Sequence, residues 1–432
     1  IICYESKNMN IYLYRILSIL LLPVIILLIV IRVVKGKEDK QRIFERFGIS
    51  GMKRPKGNII WFHCASVGEA NSIFPLIEEI EKKYHFLNFL ITTGTVSSAK
   101  TVHRKIENKP NLIHQYIPID CYLCVKLFLM KWQPKLAIYI ESELWPNLIN
   151  STSNSGCDIL LINARISDTS FERWQKFPAL INSIAQSVNQ VIAQTDDDKS
   201  KFEKLHFRNV LLFDSLKYAA KKLPNNAREF GNLIKNIGNR KVFLAASTSD
   251  NEEEVLIKTH KNLQNDINNL LTIIAPRHPE RLEDIIKSCK YNGLRYAVRS
   301  KNDEIKENTS IYICDTLGEL GILYRICSTV FIGGSVNSRG GQNPIEPANL
   351  SCAIISGNKV KNFKSVYDEF LKKKAAIIVS NQNELERELL ILLSDSNLRK
   401  KISNNAKELV ESKRNVIEKY LAEIEPYLKP LN

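Results

Sequence analysis

Short apolar runs, each followed by a polar loop and then by a stretch with apolar residues every three or four positions, recur along most of this chain. Asn58–His63 reads as a buried strand with the helix Ala70–Lys83 behind it, Leu87–Thr92 precedes a helix from Ser97, and Lys135–Ile140 precedes Trp145–Asn150. Asp158–Ile162, Gln190–Ala193 and Val210–Phe213 add further short strands. The polar segment Lys221–Asn239, with Pro224, Asn225, Asn226 and Gly231, reads as a linker. Beyond it the pattern restarts with Lys241–Ala245, Leu271–Ile274, Ser310–Cys314, Thr329–Ile332 and Cys352–Ile355, and from Asn383 onward it is helical throughout. Strand, loop and helix in that repeated order predict an α/β protein whose parallel sheets are covered on both faces. Two doubly wound halves are expected to face a cleft at the carboxyl ends of their strands, where such folds bind ligands.

The amino terminus departs from this pattern. Ile16–Ile31 is apolar except for Ser18 and Pro23. With Arg15 and Arg32 snorkelling, the stretch reaches about two dozen residues, enough to span or lie deeply in a membrane. No small-residue cleavage site follows; Arg32, Lys35, Lys37, Lys40, Arg42 and Arg46 come next, a positive flank that places the remainder on the cytoplasmic side. The division expected is a membrane-anchor helix over residues 1–35, one domain over 36–220 and another over 221–432. The chain opens on Ile1, and Met9, directly before the apolar segment, is a candidate start.

Composition narrows the classes. A net charge of +15 fits nucleic acid, an anionic membrane surface or acidic substrates, but the lysines scatter without the interleaved aromatics of a single-strand nucleic-acid groove. Nine cysteines without framework spacing point to a reducing compartment, with Cys121 and Cys124 read as buried thiols on a helix. The seven histidines show no ligand spacing, so no metal is expected.

Candidate chemistry sits in the post-strand loops. Ile332–Ala348 (IGGSVNSRGGQNPIEPA) carries two glycine pairs before an Asn343-Pro344-Ile345-Glu346 helix start, an arrangement that favours an anion. Glu69 and Glu143 stand just past first-half strands as acid/base candidates. Arg277, between two prolines, and Lys217 offer positive charge to a phosphate. Asp196-Asp197-Asp198 matches D-x-D, but Thr195 with Asp198 three residues on reads as a helix cap. Neither a Walker loop nor a G-x-S-x-G elbow is present, and phosphate binding without them points to nucleotide-sugar chemistry.

Over residues 10–425 the chain resembles the 3-deoxy-D-manno-octulosonic acid (Kdo) transferases of lipopolysaccharide assembly. The matching stretches are His63–Glu69 (HCASVGE), Thr92–Thr95 (TTGT), Glu141–Asn147 (ESELWPN), Asn163–Ser167 (NARIS), Leu216-Lys217, Ala246–Thr248 (AST), Pro276–Arg281 (PRHPER), Asp315–Leu320 (DTLGEL) and Phe331–Pro347. The resemblance implies a GT-B fold of two Rossmann-like domains, acceptor-side first and donor-side second, and a membrane-anchored, metal-independent, inverting glycosyltransferase on the cytoplasmic face of the inner membrane. It implies CMP-Kdo as donor, a lipid A precursor as acceptor and no cofactor. Glu69 matches the family's general base; Glu143 and Lys217 match its proposed transition-state stabilisers. Pro276 and Arg277, Leu317, Gly318 and Glu319, and Asn343, Pro344, Ile345 and Glu346 match the stretches that hold CMP. The chain departs from the pattern at Ser249, at Gln342 and at Asp214-Ser215, all outside the proposed catalytic groups. Two other readings stand beside it: a membrane glycosyltransferase with a UDP-sugar donor, and a non-enzymatic basic membrane-anchored RNA-binding protein.

Overall fold

A computed structural model of the chain describes residues 2–337 and 339–431. These divide into two compact units, one holding everything up to Ala219 together with the stretch from Asn415 on, the other Ala220–Arg414.

The first unit is built on seven parallel strands: β1 (Ile59–Cys64), β2 (Asn88–Thr93), β3 (Leu112–Tyr116), β4 (Leu136–Ile140), β5 (Asp158–Ala164), β6 (Gln190–Ala193) and β7 (Val210–Leu212). Their order is β3-β2-β1-β4-β5-β6-β7. β1 lies between β2 and β4 and is buried along its whole length, which is why it reads as a nearly continuous apolar run. Trp61 from its middle meets Phe128 at 4.9 Å and Tyr139 at 5.2 Å between ring centroids. β3 escapes the sequence reading because His114 and Gln115 interrupt its apolar pattern. The chain winds outward from β1 to β3, then returns to β4 on the other side. That reversal leaves a crevice outside the carboxyl ends of β1 and β4.

The second unit repeats the plan with β8 (Lys241–Thr248), β9 (Leu270–Pro276), β10 (Tyr296–Val298), β11 (Ile311–Ile313), β12 (Thr329–Ile332), β13 (Ala353–Gly357) and β14 (Ala376–Val379), ordered β10-β11-β9-β8-β12-β13-β14. Its reversal lies between β8 and β12. The stretch expected as a linker contains the helix Ala227–Ile237, capped by the Asn226 side chain, which accepts from the Glu229 N–H. Buried Leu233 and Ile237 carry its helical spacing, which Asn225, Asn226 and Gly231 mask.

The final helix, Val416–Leu428, belongs to the first unit, although the sequence reading places it with the second. Val416, Tyr420, Ile424 and Leu428, four residues apart, form one wholly buried stripe. Tyr420 stacks edge-on against Phe213 at 5.4 Å, Gln190 donates to Glu423 at 2.8 Å, and Asn58 donates to the Leu431 carbonyl at 2.8 Å.

The amino-terminal apolar segment is not the single anchor helix expected. It forms α1 (Ile2–Leu20) and α2 (Leu22–Val34), bent by 55° where Pro23 removes a helical N–H and its ring crowds the preceding turn. No single helix among the described residues is long and apolar enough to cross a membrane. α1 packs against Tyr122–Trp132, Pro146–Asn154 and Pro178–Ser187. Two polar side chains fix it there. Tyr14 donates to Asp120 at 2.9 Å, and Ser18 accepts from the Asn147 amide at 3.1 Å. Asp120 also accepts the Asn147 and Leu148 N–H groups at the start of helix Pro146–Asn154, and burial pushes its carboxyl up to about 6.

The positive flank is also partly structural. Glu38, buried, accepts from Arg32 at 2.8 Å and from Arg46 at 3.0 Å, and Arg46 reaches the Gly94 carbonyl at 2.6 Å. Arg42 pairs with Glu45 at 2.8 Å, and both guanidinium groups lie about 5 Å from the Tyr116 ring. Arg42 and Arg46 therefore bind the segment to the domain, because long cationic side chains near apolar surface are buried only when paired.

Candidate active site

Three glutamates gather at the reversal in the first sheet. Glu69 lies in the first turn of helix Val67–Lys83, directly after β1; Glu141 and Glu143 follow β4. Burial pushes the Cys64 thiol well up, and the fields of Glu69, Glu143 and Glu141 raise it further, so all three carboxylates act on the end of β1.

Glu69 is only 7% exposed. Its carboxylate accepts from the Ala65 N–H at 2.8 Å and the Ser66 hydroxyl at 2.7 Å, while Ser66 caps the helix through the Glu69 N–H. Burial, with the charges of Glu141 and Glu143, outweighs these bonds and raises the group to about 7.

Glu143 is held in the opposite state. Burial works against its charge, but bonding to and attraction by His63, with the Trp145 indole N–H at 2.5 Å, lower its pKa. His63 Nε2 stands 3.4 Å from Glu143 and Nδ1 stands 3.0 Å from the Thr92 hydroxyl, which already accepts from Trp61. Nε2 is the nitrogen that must carry a proton here, since a bare Nε2 lone pair would face a carboxylate. Two neighbouring carboxyls are thus driven apart, one poised to titrate near neutrality and one fixed as an anion.

The sequence reading gives Lys217 and Glu143 a shared role; in the structure Lys217 makes its ion pair with Glu141. Lys217 Nζ lies 2.9 Å from Glu141 Oε1, and Arg165 Nε lies 2.5 Å from Oε2. Glu141 has a φ of +61°, a strained conformation for a residue with a side chain, and is 2% exposed. Asn163, also left-handed at φ +51°, positions Lys217 by accepting from the Ser215 hydroxyl at 3.1 Å and the Leu216 N–H at 3.0 Å. Glu141 is the member of this cluster that the sequence reading did not single out. The Glu-Ser-Glu triplet signalled two carboxylates, but the positive φ that turns the first inward leaves no mark on composition.

In the second unit the predicted donor residues all stand past the carboxyl ends of strands. Pro276 ends β9, and Arg277 beyond it is exposed with its N–H on the Thr248 carbonyl at 2.9 Å. Leu317 is exposed and Gly318 has a φ of +91°, which opens the backbone there to a ligand. Glu319 is already engaged: Arg299 donates to it at 2.8 Å and also to Glu229 at 2.6 Å, and the Thr316 hydroxyl bonds it too. Asn343 accepts the Ile345 N–H at 3.0 Å and donates to Glu346 at 3.2 Å, so Asn343–Glu346 forms a closed turn before the one-turn helix Ile345–Ala348.

The first glycine pair does something other than expected. The N–H groups that the sequence reading offers to a phosphate are occupied by a side chain. Glu252, 1% exposed, accepts from Gly334, Ser335 and Val336 N–H at 2.7–2.9 Å, and from the Ser249 N–H and hydroxyl at 2.9 and 3.0 Å. A Cβ on Gly333 would lie 2.6 Å from the Ser247 carbonyl, so this glycine is required by the close approach of β12 to β8. Among the described residues no three His, Cys, Asp or Glu side chains converge as metal ligands would.

The family model described as 3-Deoxy-D-manno-octulosonic-acid transferase (kdotransferase) matches residues 41–220. The 3-deoxy-D-manno-octulosonic acid transferase of Rickettsia bellii is 38% identical over 411 residues, 95% of this chain and 97% of that protein. The Haemophilus influenzae protein of the same name is 29% identical over 423 residues, 97% of this chain and 99% of its own. Among solved structures, a glycosyltransferase from Rickettsia africae has a TM-score of 0.58 at 12% identity, covering 88% of this chain and all of its own, and shares the two-sheet fold.

Two outcomes follow from the geometry. Glu252→Gln, which replaces one accepting oxygen with a donor, should destabilise the second unit by about 2–4 kcal/mol; an unmoved urea transition would show that the glycine loop closes without the carboxylate. Glu69 is protonated more readily folded than unfolded, so its cost is absent below its ordinary value of 4.5, grows through the interval to about 7, and is fully present above. Glu69→Gln should therefore be more stable than wild type at pH 8, by roughly 1–3 kcal/mol, with the gap closing toward pH 4.5. Melting at the two pH values reads this directly, and a gap that widened on acidification would reverse the assignment.

Proposed function

The chain belongs to the 3-deoxy-D-manno-octulosonic acid (Kdo) transferases, glycosyltransferases of lipopolysaccharide biosynthesis, and from this we propose that it moves Kdo from CMP-Kdo to a lipid A precursor with Glu69 as the general base. The observation that carries the reading is Glu69 itself, a carboxyl raised to about 7 at the reversal of the first sheet beside two other glutamates. An acceptor hydroxyl is a weak nucleophile until its proton is taken, and a base titrating near neutrality does this best. The hydroxyl oxygen forms its bond to the anomeric carbon, the carbon–oxygen bond to phosphate breaks, its electron pair leaves with CMP, and the proton rests on Glu69. One displacement inverts the anomeric centre.

Positive charge grows on the sugar and negative charge on the departing phosphate, which gives the remaining residues their roles. Glu143, fixed as an anion, answers the first; Lys217, whose ammonium is balanced by Glu141, answers the second. Arg277 serves the phosphate through its fork, and Pro276, Leu317, Gly318, Glu319 and the Asn343-Pro344-Ile345-Glu346 turn hold the nucleotide. The donor-side reading does not rest on the first glycine pair, whose N–H groups Glu252 already holds.

Turnover by Glu69→Gln should fall by about 10²–10⁴ with CMP binding almost unchanged. In the wild type kcat/KM should rise with pH through a limb near 7, as Glu69 loses its proton. A wild-type rate from Glu69→Gln in a chemistry-limited assay would hand the role to another carboxyl.

We also assign the α1–α2 pair to the cytoplasmic leaflet of the inner membrane. Leu20, Val24, Leu27, Val30 and Val34 are all more than half exposed, an apolar surface that water does not favour. Glutamate at Leu20, Leu27 and Val34 together should release the protein into the high-salt wash of membranes. Retention of that triple variant at wild-type level would defeat the assignment.

A further inference from the structure

The first unit contains a cavity of about 730 Å³ that is mostly apolar and runs up to Glu143. Leu21, Ile25 and Leu28 of the bent helix pair form one wall. Ile117, Ile119 and Leu148 form the facing one. The same cavity is lined by His63, by Glu143, and by Ala65, whose N–H holds Glu69. Its cationic lining groups, Arg32 and Arg46, are both bound to Glu38, so the two guanidinium groups share one carboxylate at the edge of the apolar stretch.

We propose that this cavity takes one acyl chain of the acceptor lipid and thereby sets the reacting hydroxyl beside Glu69; the inference rests on the Kdo-transfer reading and names how its acceptor is held. Continuity points to this occupant. The helices that form one wall also expose apolar side chains outside it, Leu20, Val24 and Leu27 among them, so a chain can pass from a bilayer into the cavity along hydrocarbon. At its other limit the cavity touches the groups assigned to the reaction, which a lipid bound only as an anchor would have no cause to approach. The volume falls within the roughly 300–1,000 Å³ usual for a site that encloses most of a ligand. The 55° bend at Pro23 lies where Leu21, Ile25 and Leu28 share the cavity with Ile117 and Ile119.

Two measurements on the full chain in detergent micelles decide the matter. In the first, a lipid A precursor with a diazirine at the end of one acyl chain is irradiated with the protein and the labelled residues are mapped. Label at Ile117, Ile119 or Leu148, suppressed by excess unlabelled acceptor and absent with a phospholipid bearing the same tail, is expected. Label confined to outward residues such as Leu20 and Val24, or equal labelling by the phospholipid, would overturn the proposal. In the second, Ile25→Trp and Ile119→Trp narrow the cavity from opposite walls. The ratio of kcat/KM for the acylated acceptor over its deacylated sugar should drop at least tenfold in each; a ratio within twofold of wild type in both overturns it. A wild type that transferred Kdo to neither acceptor would sink the Kdo-transfer reading, and the labelling result would still decide the cavity, since it needs no turnover.

Discussion

A glutamate at the first turn of a helix, drawn back onto the loop that ends a parallel strand, is the interaction around which both units are organised. In the second unit Glu252 receives five donors from two loops and ties the end of β8 to the end of β12. In the first, Glu69 receives two among the described residues, from Ala65 and Ser66. The same placement, at the point where strand order reverses, gives a five-donor clasp in one case and a carboxyl raised to about 7 in the other. The number of donors separates the two.

Three carboxylates around the end of β1 are tolerable only because each is balanced differently. Glu141 has two cations, Glu143 has His63 and an indole N–H, and Glu69 meets the crowding by holding a proton more tightly. Glu69, whose two partners are a neutral N–H and a hydroxyl, is raised first by burial and then by the others' charge, and this is what brings its titration close to neutrality. A site of this kind couples its members. Changing Glu141 or Glu143 alters Glu69 as well, so single substitutions do not report separate contributions.

Much of this was legible before any coordinates. Parallel α/β architecture followed from apolar runs alternating with helical spacing, and Glu69 stood out because Ser66-Val67-Gly68-Glu69 is both a cap and a post-strand loop. What escaped the sequence depended on geometry with no local signature. The partner of Lys217 was settled by left-handed backbone at Glu141 and Asn163, which ordinary residues adopt without advertising it. The glycine loop read as an anion site because a nest of N–H groups looks the same whether a phosphate or Glu252, some eighty residues earlier in the chain, fills it. Likewise Arg42 and Arg46 read as a charged flank, although Glu45 and Glu38 pair with them and tie them to the domain.

The return of Val416–Leu428 to the first unit bears on how the chain is made. Synthesis runs from the amino end, and the second unit, Ala220–Arg414, is finished while the first still lacks its last helix. Tyr420 and its neighbours on that helix are wholly buried, so the surface that receives them around Phe213 stays uncovered until then. The half bearing Glu69 can therefore complete its packing only after the half that follows it has left the ribosome, and a nascent chain stopped at Arg414 would present a finished second unit beside an open-sided first.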